Sequence, residues 1–299
     1  QEVRTAGIAA KEMETLGFSV RTGIGRTGVI AELDNGEGPL IALRADMDAL
    51  PIREANTHDF VSQNAGVMHA CGHDGHVAGL IGAARILAEE RDAGRLPTGT
   101  VRFIFQPSEE ATDDEGKSGA MRMVDEGVME GVDAVVGLHL GAPLPSGKLF
   151  FATGPIMAGA AEVHIEVHGK SSHAGMPEAG VDALVLAARG VVAVQDAAPE
   201  NRSPIEDGLI SFGRIAGGTA HNVLADLVTI EGTMRFFSEE VRERLPRRLD
   251  EAFGALKDSG AEVTIQLGTG YLPVINDERV TEWVRAAAID LVGEDDVLP

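Results

Sequence analysis

The stretch PLIALRAD at residues 39–46 decides the fold class of this chain. It is a short apolar run that ends in a charged residue, a pattern typical of a strand buried inside a sheet. Helical and strand patterns alternate around it. The segments are a helix up to Leu16, a β-rich run over 29–33, a helix over 74–90, the strand VRFIFQP at 101–107, a helix over 118–130 and the strand DAVVGLH at 133–139. This alternation predicts a layered α/β domain.

The pattern changes from residue 161 onward, where strands outnumber helices. In order, the segments are the strand AEVHIEVHGK (161–170), the helix DALVLAARGVVAVQ (182–195), the strands LISFGRIAG (209–217) and DLVTIEGTMRFF (226–237), the helix EEVRERLPRRLDEAFGALKDS (239–259) and the strand AEVTIQLG (261–268). This βαββαβ order predicts a separate small α+β domain. A last helical pattern covers 277–292.

The length and charge of the chain limit its domain count and its partners. With 299 residues, the chain has room for about two domains. Its 25 Lys and Arg residues against 47 Asp and Glu residues give a net charge of −22, the wrong sign for binding the phosphates of nucleic acids. The sequence has no apolar run long enough to span a membrane and no signal-peptide pattern at its start. We therefore expect a cytoplasmic protein without nucleic-acid or membrane partners.

Acidic or imidazole side chains follow three of the predicted strands. Asp46 and Asp48 follow the first strand, Glu109 and Glu110 the second, and His139 the third. In open α/β sheets, ligands bind outside the carboxyl ends of the strands. We therefore expect these side chains to converge on one crevice.

A histidine-rich loop precedes the helix predicted at 74–90. Residues 68–76, MHACGHDGH, hold three histidines, one cysteine and one aspartate within eight residues, which is more than packing requires. The spacing places Cys71, the single cysteine of the chain, and His73 within reach of one ion. Because sulfur, nitrogen and carboxylate ligands together suit zinc, manganese, cobalt or nickel, and carboxylates leave room for water, the sequence predicts a catalytic metal site.

Taken singly, each of these residues also has a purely structural interpretation. The aspartates could be turn residues, and the glutamate pair could be a solvated surface pair. His139 could be a core histidine, and Cys71 a buried apolar residue or a reactive thiol. Only their combination favours a metal site.

Four motifs in the first half, RADMDALPI, MHACGHDGH, FIFQPSEE and GLH, resemble the amidohydrolase branch of the aminoacylase and carboxypeptidase metallopeptidase family. This branch includes hippurate hydrolases and indole-acetyl-amino-acid hydrolases. The later segments GKSSHAGMPEAGVDAL, GRIAGGTAHNVLAD and EGTMRFF resemble its lid domain. The resemblance implies a zinc-exopeptidase-like α/β catalytic domain with a mixed sheet, formed by residues 1–157 and 272–299. An inserted ferredoxin-like α+β domain, residues 158–271, would be the lid and the dimerisation domain.

The same resemblance implies a site with two divalent metal ions. Its expected metal ligands are Cys71, His73, Glu110 and His139. Glu109 would be the general base, while Asp46 and Asp48 would support the metal ligands from behind.

Three lid residues also match the family. His173 would stabilise the oxyanion in the partner subunit's active site, which requires a homodimer, and Asn222 and Arg235 would hold the substrate carboxylate. Without the resemblance, His173 would be a surface histidine at a strand end and Arg235 a member of a cross-strand ion pair.

One ligand of the family pattern has no counterpart in the sequence. The last metal-binding histidine of the family lies in a C-terminal segment that this chain lacks. None of the remaining histidines sits in the matching context; they are His58, His69, His76, His164, His168 and His221. We therefore expect an incomplete site, with metal ions held weakly or absent.

The implied activity is metal-dependent hydrolysis of the amide bond of N-acyl amino acids by an activated water molecule. The sequence does not indicate the acyl group. The same scaffold could instead hydrolyse N-carbamoyl amino acids or dipeptides. A catalytically silent protein that binds acyl amino acids or peptides is the remaining alternative.

Overall fold

The computed structural model describes residues 2–199 and 203–298, and the chain divides into two compact units, Gln1–Ser146 and Gly147–Pro299. The elements of the first unit are α1 (Val3–Thr15), β1 (Ser19–Ile24), β2 (Gly28–Asp34), β3 (Leu40–Asp46), α2 (His73–Asp92), β4 (Thr100–Gln106), α3 (Gly119–Asp125) and β5 (Ala134–Gly137).

The sheet of the first unit is mixed, with strand order β1, β2, β4, β3, β5. Strand β3 runs parallel to both β4 and β5, whereas β2 is antiparallel to β1 and β4. The register places Asp46 beside Gln106 and Arg44 beside Gly137. The carboxyl ends of β3, β4 and β5 therefore meet at one edge of the sheet, as the sequence predicted.

Both faces of this sheet are covered, which explains the apolar strand sequences. On β4, Phe103 and Phe105 point into a core that includes Met13 of α1 and Leu80 of α2. Ile104, between them, points to the opposite face, into a second cluster that includes Met123 of α3. Alternation along a strand with both faces buried produces the continuous hydrophobic run seen in the sequence.

The second unit is built around an antiparallel sheet. Its elements are β6 (Leu149–Phe150), β7 (Gly154–Met157), β8 (Gly159–His168), α4 (Ala183–Asp196), α5 (Pro204–Asp207), β9 (Leu209–Gly217), β10 (Leu227–Phe236), α6 (Glu239–Gly254), β11 (Glu262–Leu267), β12 (Val274–Asn276), α7 (Glu278–Val292) and β13 (Val297–Leu298). The strand order of the main sheet is β11, β8, β10, β9, with every neighbouring pair antiparallel. Apart from the short helix α5, the order from β8 to β11 is the predicted βαββαβ sequence.

One face of this sheet forms the core of the second unit. On β8, Val163, Ile165 and Val167 are buried, and they belong to the same cluster as Leu249 and Phe253 of α6. The intervening residues of β8, such as His164 and His168, are only half-buried. The strands are therefore apolar on one face and polar on the other.

The structure differs from the sequence prediction at several boundaries. Strand β1 was not predicted, α3 is shorter than the helix expected over 118–130, and α2 begins at His73, so this residue lies on a helix rather than in the preceding loop. The division into a catalytic domain of residues 1–157 and 272–299 and a lid domain of residues 158–271 stays a prediction. Across the described ranges, the structure contains no helix of the length and apolarity needed to cross a membrane.

Candidate metal centre

The candidate site lies at the edge of the first sheet where β3, β4 and β5 end. Asp46 is the last residue of β3, Glu109 and Glu110 follow β4, and His139 follows β5. Helix α2 contributes from the side through His73, its first residue. The expected convergence of these strand ends is thus present in the fold.

A glycine permits the close approach of helix α2. Gly72 caps the helix with φ at +81°, in the left-handed region that favours glycine. A Cβ atom there would lie 3.2 Å from the side chain of Leu140, and one on Gly75 would lie 2.6 Å from it. The glycines of the MHACGHDGH segment therefore let the first turn of α2 pack against the chain that follows His139.

His73 is the centre of the cluster, and its side chain is only 1% exposed. Its Nδ1 donates to the backbone oxygen of Asp48 at 2.9 Å and to Asp48 Oδ1 at 3.1 Å. Its Nε2 lies 3.6 Å from Asp46 Oδ2 and 3.9 Å from both Glu109 Oε2 and Glu110 Oε1. Nδ1 thus carries a proton, and Nε2 faces three carboxylates.

Several of these buried polar atoms have no hydrogen bond within the described part of the chain. They are His73 Nε2, Glu110 Oε1 and Asp46 Oδ2, of which Asp46 Oδ2 has an ion pair with Arg44 Nη1 at 2.7 Å. Buried polar groups are normally hydrogen-bonded, so the two atoms without any such partner, gathered at one place, require an explanation. Ligands of a single ion, each bonded at about 2.0–2.2 Å, lie roughly 3–3.5 Å apart, slightly closer than the spacings found here. The donor set therefore fits a divalent cation.

The charges around His73 also favour a cation. Burial lowers the pKa of His73, but the hydrogen bond to Asp48 and the negative charges of Asp46 and Asp48 raise it above its ordinary value by a larger amount. The guanidinium of Arg44 offsets part of the negative charge of this carboxylate group, and a proton on the imidazole or a bound metal ion would offset more of it.

Cys71 and His139 form the second part of the cluster. Cys71 Sγ lies 3.4 Å from His139 Nε2, and His139 Nδ1 donates to the backbone oxygen of Leu140 at 2.8 Å. Burial, followed by the hydrogen bond and charge of Glu110, raises the pKa of the Cys71 thiol to about 11. Because a thiol binds metals as the thiolate, an ion would have to displace this proton.

The two glutamates differ in their surroundings. Burial, and then the charge of Glu110, raises the pKa of Glu109 above its ordinary value. The backbone N–H of Glu110 donates to Asp48 Oδ2 at 2.9 Å, so Asp48 holds both His73 and the loop that carries the glutamates. Glu109 is the more exposed side chain, at 38% against 24% for Glu110.

Asp46 belongs to a buried network with a histidine that the sequence reasoning missed. His76 Nδ1 lies 2.6 Å from Asp46 Oδ1, and Arg44 Nη1 lies 2.7 Å from Asp46 Oδ2. Burial raises the pKa of Asp46, but the bond to His76 and the charge of Arg44 outweigh it and lower the pKa. The three-residue spacing from His73 on one helix face could have indicated His76.

Ligand atoms come within 4.8 Å of one another in three overlapping groups. The groups are Cys71, His73 and His139; Asp46, His73 and His76; and His73, Glu109 and Glu110. Every predicted metal ligand occurs in these groups, and His73 belongs to all of them. Because His73 is common to the three groups, they are parts of one cluster.

Two loops begin and end next to the cluster, and backbone hydrogen bonds join the two ends of each loop. Leu50 and Met68 exchange backbone hydrogen bonds of 2.9 and 3.0 Å, which closes the loop of residues 51–67 between Asp48 and Cys71. The loop after β4 is closed by a bond of 2.9 Å from Gly119 N–H to the backbone oxygen of Ser108. The neighbouring site residues therefore lie close to the hydrogen bonds that hold the loop ends together.

The second unit holds the remaining predicted residues. His173 and Asn222 are exposed and lie on adjacent segments, since His173 pairs with Val223 and the N–H of Ala174 donates to the Asn222 backbone oxygen at 3.0 Å. Arg235 lies on β10, and its guanidinium contacts the hydroxyl of Thr233. The roles predicted for these residues stay predictions.

Comparison with known proteins places this arrangement in a family. Residues 42–299 match the sequence model of peptidase family M20/M25/M40. The chain belongs to this family. The M20 relatives include an N-acetyl-L-cysteine deacetylase of Bacillus subtilis, 38% identical over 96% of this chain and 68% of its own length. An N-acyl-L-amino acid amidohydrolase of Geobacillus stearothermophilus is 40% identical over 92% of this chain and 73% of its own length.

An M20 crystal structure shares the fold. A Bacillus subtilis protein described as a dinuclear metal-binding peptidase of this family matches with a TM-score of 0.80 and 33% identity, covering 97% of this chain and 74% of that chain. The family resemblance and the prediction of a metal-dependent hydrolase of amide bonds are therefore confirmed, together with the α/β fold and its mixed sheet.

Proposed function

We propose that this M20 chain hydrolyses the amide bond of N-acyl amino acids. The observation that carries this proposal is the gathering of a thiol, two imidazoles and two glutamates around His73 at the carboxyl edge of the first sheet. The names of the two relatives, an amidohydrolase and a deacetylase of acylated amino acids, support the same substrate class.

Two divalent ions would be held by Cys71, His73, Glu110 and His139. The mixture of sulfur, nitrogen and oxygen donors favours zinc, manganese, cobalt or nickel over magnesium or calcium. When bound, such ions lower the pKa of a water molecule and polarise the amide carbonyl. Asp48 keeps the Nδ1 proton of His73 in place, so that the Nε2 lone pair is directed at the ion.

Glu109 is the proposed proton carrier. Its pKa is raised by burial and by Glu110, which brings it closer to neutral pH, where a general base is most effective. The carboxylate would take the proton of the attacking water and deliver it to the leaving amine. Its greater exposure compared with Glu110 suits a group that meets the substrate.

Recognition of the substrate carboxylate is assigned to Asn222 and Arg235. A guanidinium binds carboxylates through paired N–H donors, which suits Arg235 for this task. His173 Nδ1 accepts a hydrogen bond of 3.0 Å from the N–H of Gly175, so the neutral imidazole carries its proton on Nε2 and can donate to an oxyanion.

These residues belong to the stretch 158–271, for which we propose the role of lid and dimerisation domain. The βαββαβ order with strand order β11, β8, β10, β9 supports a ferredoxin-like assignment. We further propose a homodimer in which His173 acts on the partner subunit's site, in the cytoplasm.

The test is hydrolysis of a substrate panel by the chelator-treated protein resupplied with zinc, manganese, cobalt or nickel. The panel contains N-acetyl, N-benzoyl, N-indoleacetyl and N-carbamoyl amino acids and a dipeptide. Metal-dependent turnover of an N-acyl amino acid would support the proposal and name the acyl group. Turnover of only the N-carbamoyl compound or the dipeptide would replace the substrate class. Metal binding without any turnover would favour a silent binding protein.

A further inference from the structure

One buried imidazole beside the metal centre uses both of its nitrogens within the protein. His76 lies on the first turn of α2, and its side chain is 1% exposed. Nδ1 lies 2.6 Å from Asp46 Oδ1, and Nε2 accepts a hydrogen bond of 2.8 Å from the backbone N–H of Leu140. Two separate segments are therefore joined through this ring.

These partners determine where the proton of His76 lies. A carboxylate accepts and an amide N–H donates, so Nδ1 carries the proton and Nε2 does not. Although His76 lies close enough to Asp46 and His73 to share an ion, its lone pair is already directed at Leu140.

The bond to Leu140 bears on the Cys71 and His139 pair. The backbone oxygen of Leu140 accepts from His139 Nδ1 at 2.8 Å, and this fixes which nitrogen of His139 faces Cys71. The rings of His76 and His139 are also in edge contact, with centroids 4.7 Å apart. His76 thus holds the residue that in turn orients His139.

We propose that His76 is a positioning residue, not a metal ligand. By fixing the Leu140 backbone it sets the direction of the His139 lone pair, and by binding Asp46 it holds that carboxylate beside His73. This proposal rests on the proposed function, since it assumes that Cys71 and His139 bind an ion together.

The two hydrogen bonds of His76 can be removed separately. In His76→Asn, the amide N–H₂ can reach the Nδ1 position and donate to Asp46, but the acceptor for Leu140 is lost. In His76→Gln, the amide oxygen can reach the Nε2 position and accept from Leu140, but the donor for Asp46 is lost. His58→Gln, in the loop of residues 51–67, is the control for replacing a histidine.

The readout is titration of each metal-free variant with Co²⁺, followed by the sulfur-to-cobalt charge-transfer absorption. Because the chain has a single cysteine, Cys71, this absorption reports on one ligand. The His76→Asn substitution is expected to weaken cobalt binding at Cys71 by roughly 10- to 100-fold, the usual effect of losing a group that orients a ligand. The His76→Gln variant should stay close to wild type, and both variants should still bind as many ions as wild type.

Equal, wild-type binding by His76→Asn and His76→Gln would overturn the proposal. Loss of one bound ion in both variants would also overturn it, since that would make His76 a ligand. Thermal unfolding of the metal-free variants identifies any variant that fails to fold. Cobalt binding by the variant that does fold then decides whether the proposal holds. If the wild-type protein shows no cobalt–thiolate absorption, the proposed metal site is wrong. If the wild-type protein shows this absorption and neither variant changes it, only the proposed role of His76 is wrong.

Discussion

The two units hold their candidate functional side chains in different ways. In the first unit, His73 and Asp46 are buried, and each has a hydrogen-bond partner far away in sequence, Asp48 for His73 and His76 for Asp46. In the second unit, His173 and Asn222 are exposed, and the guanidinium of Arg235 forms hydrogen bonds to near neighbours in sequence, Thr233 and Met234.

The contrast follows from what each set would bind. Metal ligands must be placed in advance, because an ion tolerates little error in ligand position. Groups that meet a substrate can be ordered by the substrate itself. Substitutions of the candidate metal ligands and of the residues that orient them should therefore change metal binding, whereas those at the three candidate residues of the second unit should change only the response to substrate.

The largest effect is expected for Glu109→Gln. Loss of the proton carrier should lower kcat by roughly 10²- to 10⁴-fold, while the number of bound metal ions stays unchanged. Steady-state kinetics and metal analysis of the same sample would check this. Glu37→Gln, an exposed residue between β2 and β3, removes the same charge away from the site and should behave as wild type. Near-normal turnover in Glu109→Gln would reject the assignment.

Asp48→Ala should have the next largest effect, and mainly on metal affinity. It removes the side-chain acceptor of His73 Nδ1, leaving the backbone oxygen of residue 48, and it removes the acceptor of the Glu110 amide, so we expect metal affinity to fall roughly 10- to 100-fold. Competition with a chromogenic chelator would measure it, with the exposed Asp59→Ala as control. An unchanged metal affinity would show that His73 is oriented without Asp48.

Arg235→Lys tests the second unit. The change keeps the positive charge but removes the planar pair of donors, and since a hydrogen bond to a charged group contributes about 1.5–3 kcal/mol, kcat/KM should fall roughly 10- to 100-fold. Metal affinity should be unchanged. Arg214→Lys on β9, where the arginine pairs with Glu231, is the matched control. A loss of bound metal in Arg235→Lys would break the contrast between the units.

The smallest effect concerns the loop after β4. The hydrogen bond from Arg122 is the main reason that the pKa of Asp113 lies below its ordinary value; backbone N–H groups of Lys117 and Glu115 add to it. A lowered folded-state pKa stabilises the fold above the ordinary carboxyl pKa, and this contribution disappears as the pH falls through the folded-state value.

Asp113→Asn should therefore be less stable than wild type at neutral pH, and the difference should shrink as the pH falls below about 4. Urea unfolding at a series of pH values would check this. Asp114→Asn, whose side chain is 82% exposed and pairs with Arg26, should show a smaller difference. A constant difference at every pH would contradict the assignment of the shift to Asp113.

The sequence predicted those features that depend on local pattern. Continuous apolar runs identified β3 and β4, and the residues after them marked the edge of the sheet where the site lies. Strand β1 was missed because SVRTGI contains a glycine and is mostly exposed, so it lacks the run of a buried strand. The start of α2 at His73 depends on the conformation of Gly72, which the apolar pattern does not reveal.

Hydrogen bonds between residues far apart in sequence could not be predicted from the local sequence pattern. His76 bonds to residues 30 and 64 positions away, Asp46 and Leu140, so its role depends on how the strands come together. The family resemblance indicated four candidate metal ligands, and the structure brings these residues together, because motif spacing carries information that single residues do not. It did not indicate the hydrogen bonds that orient them.

The bridge between Leu50 and Met68 has a consequence for how such a site can diversify. The chain leaves the candidate metal centre at Leu50 and returns at Met68, and two backbone hydrogen bonds join these residues. The 51–67 loop can therefore change in length without moving Asp48 or Cys71. Lengthening a flexible loop is inexpensive, about 0.6 kcal/mol for each doubling. Within this loop, Phe60 stacks on His58 and is 82% exposed. The sequence of the loop can therefore change, through evolution or engineering, while the candidate site residues keep their positions.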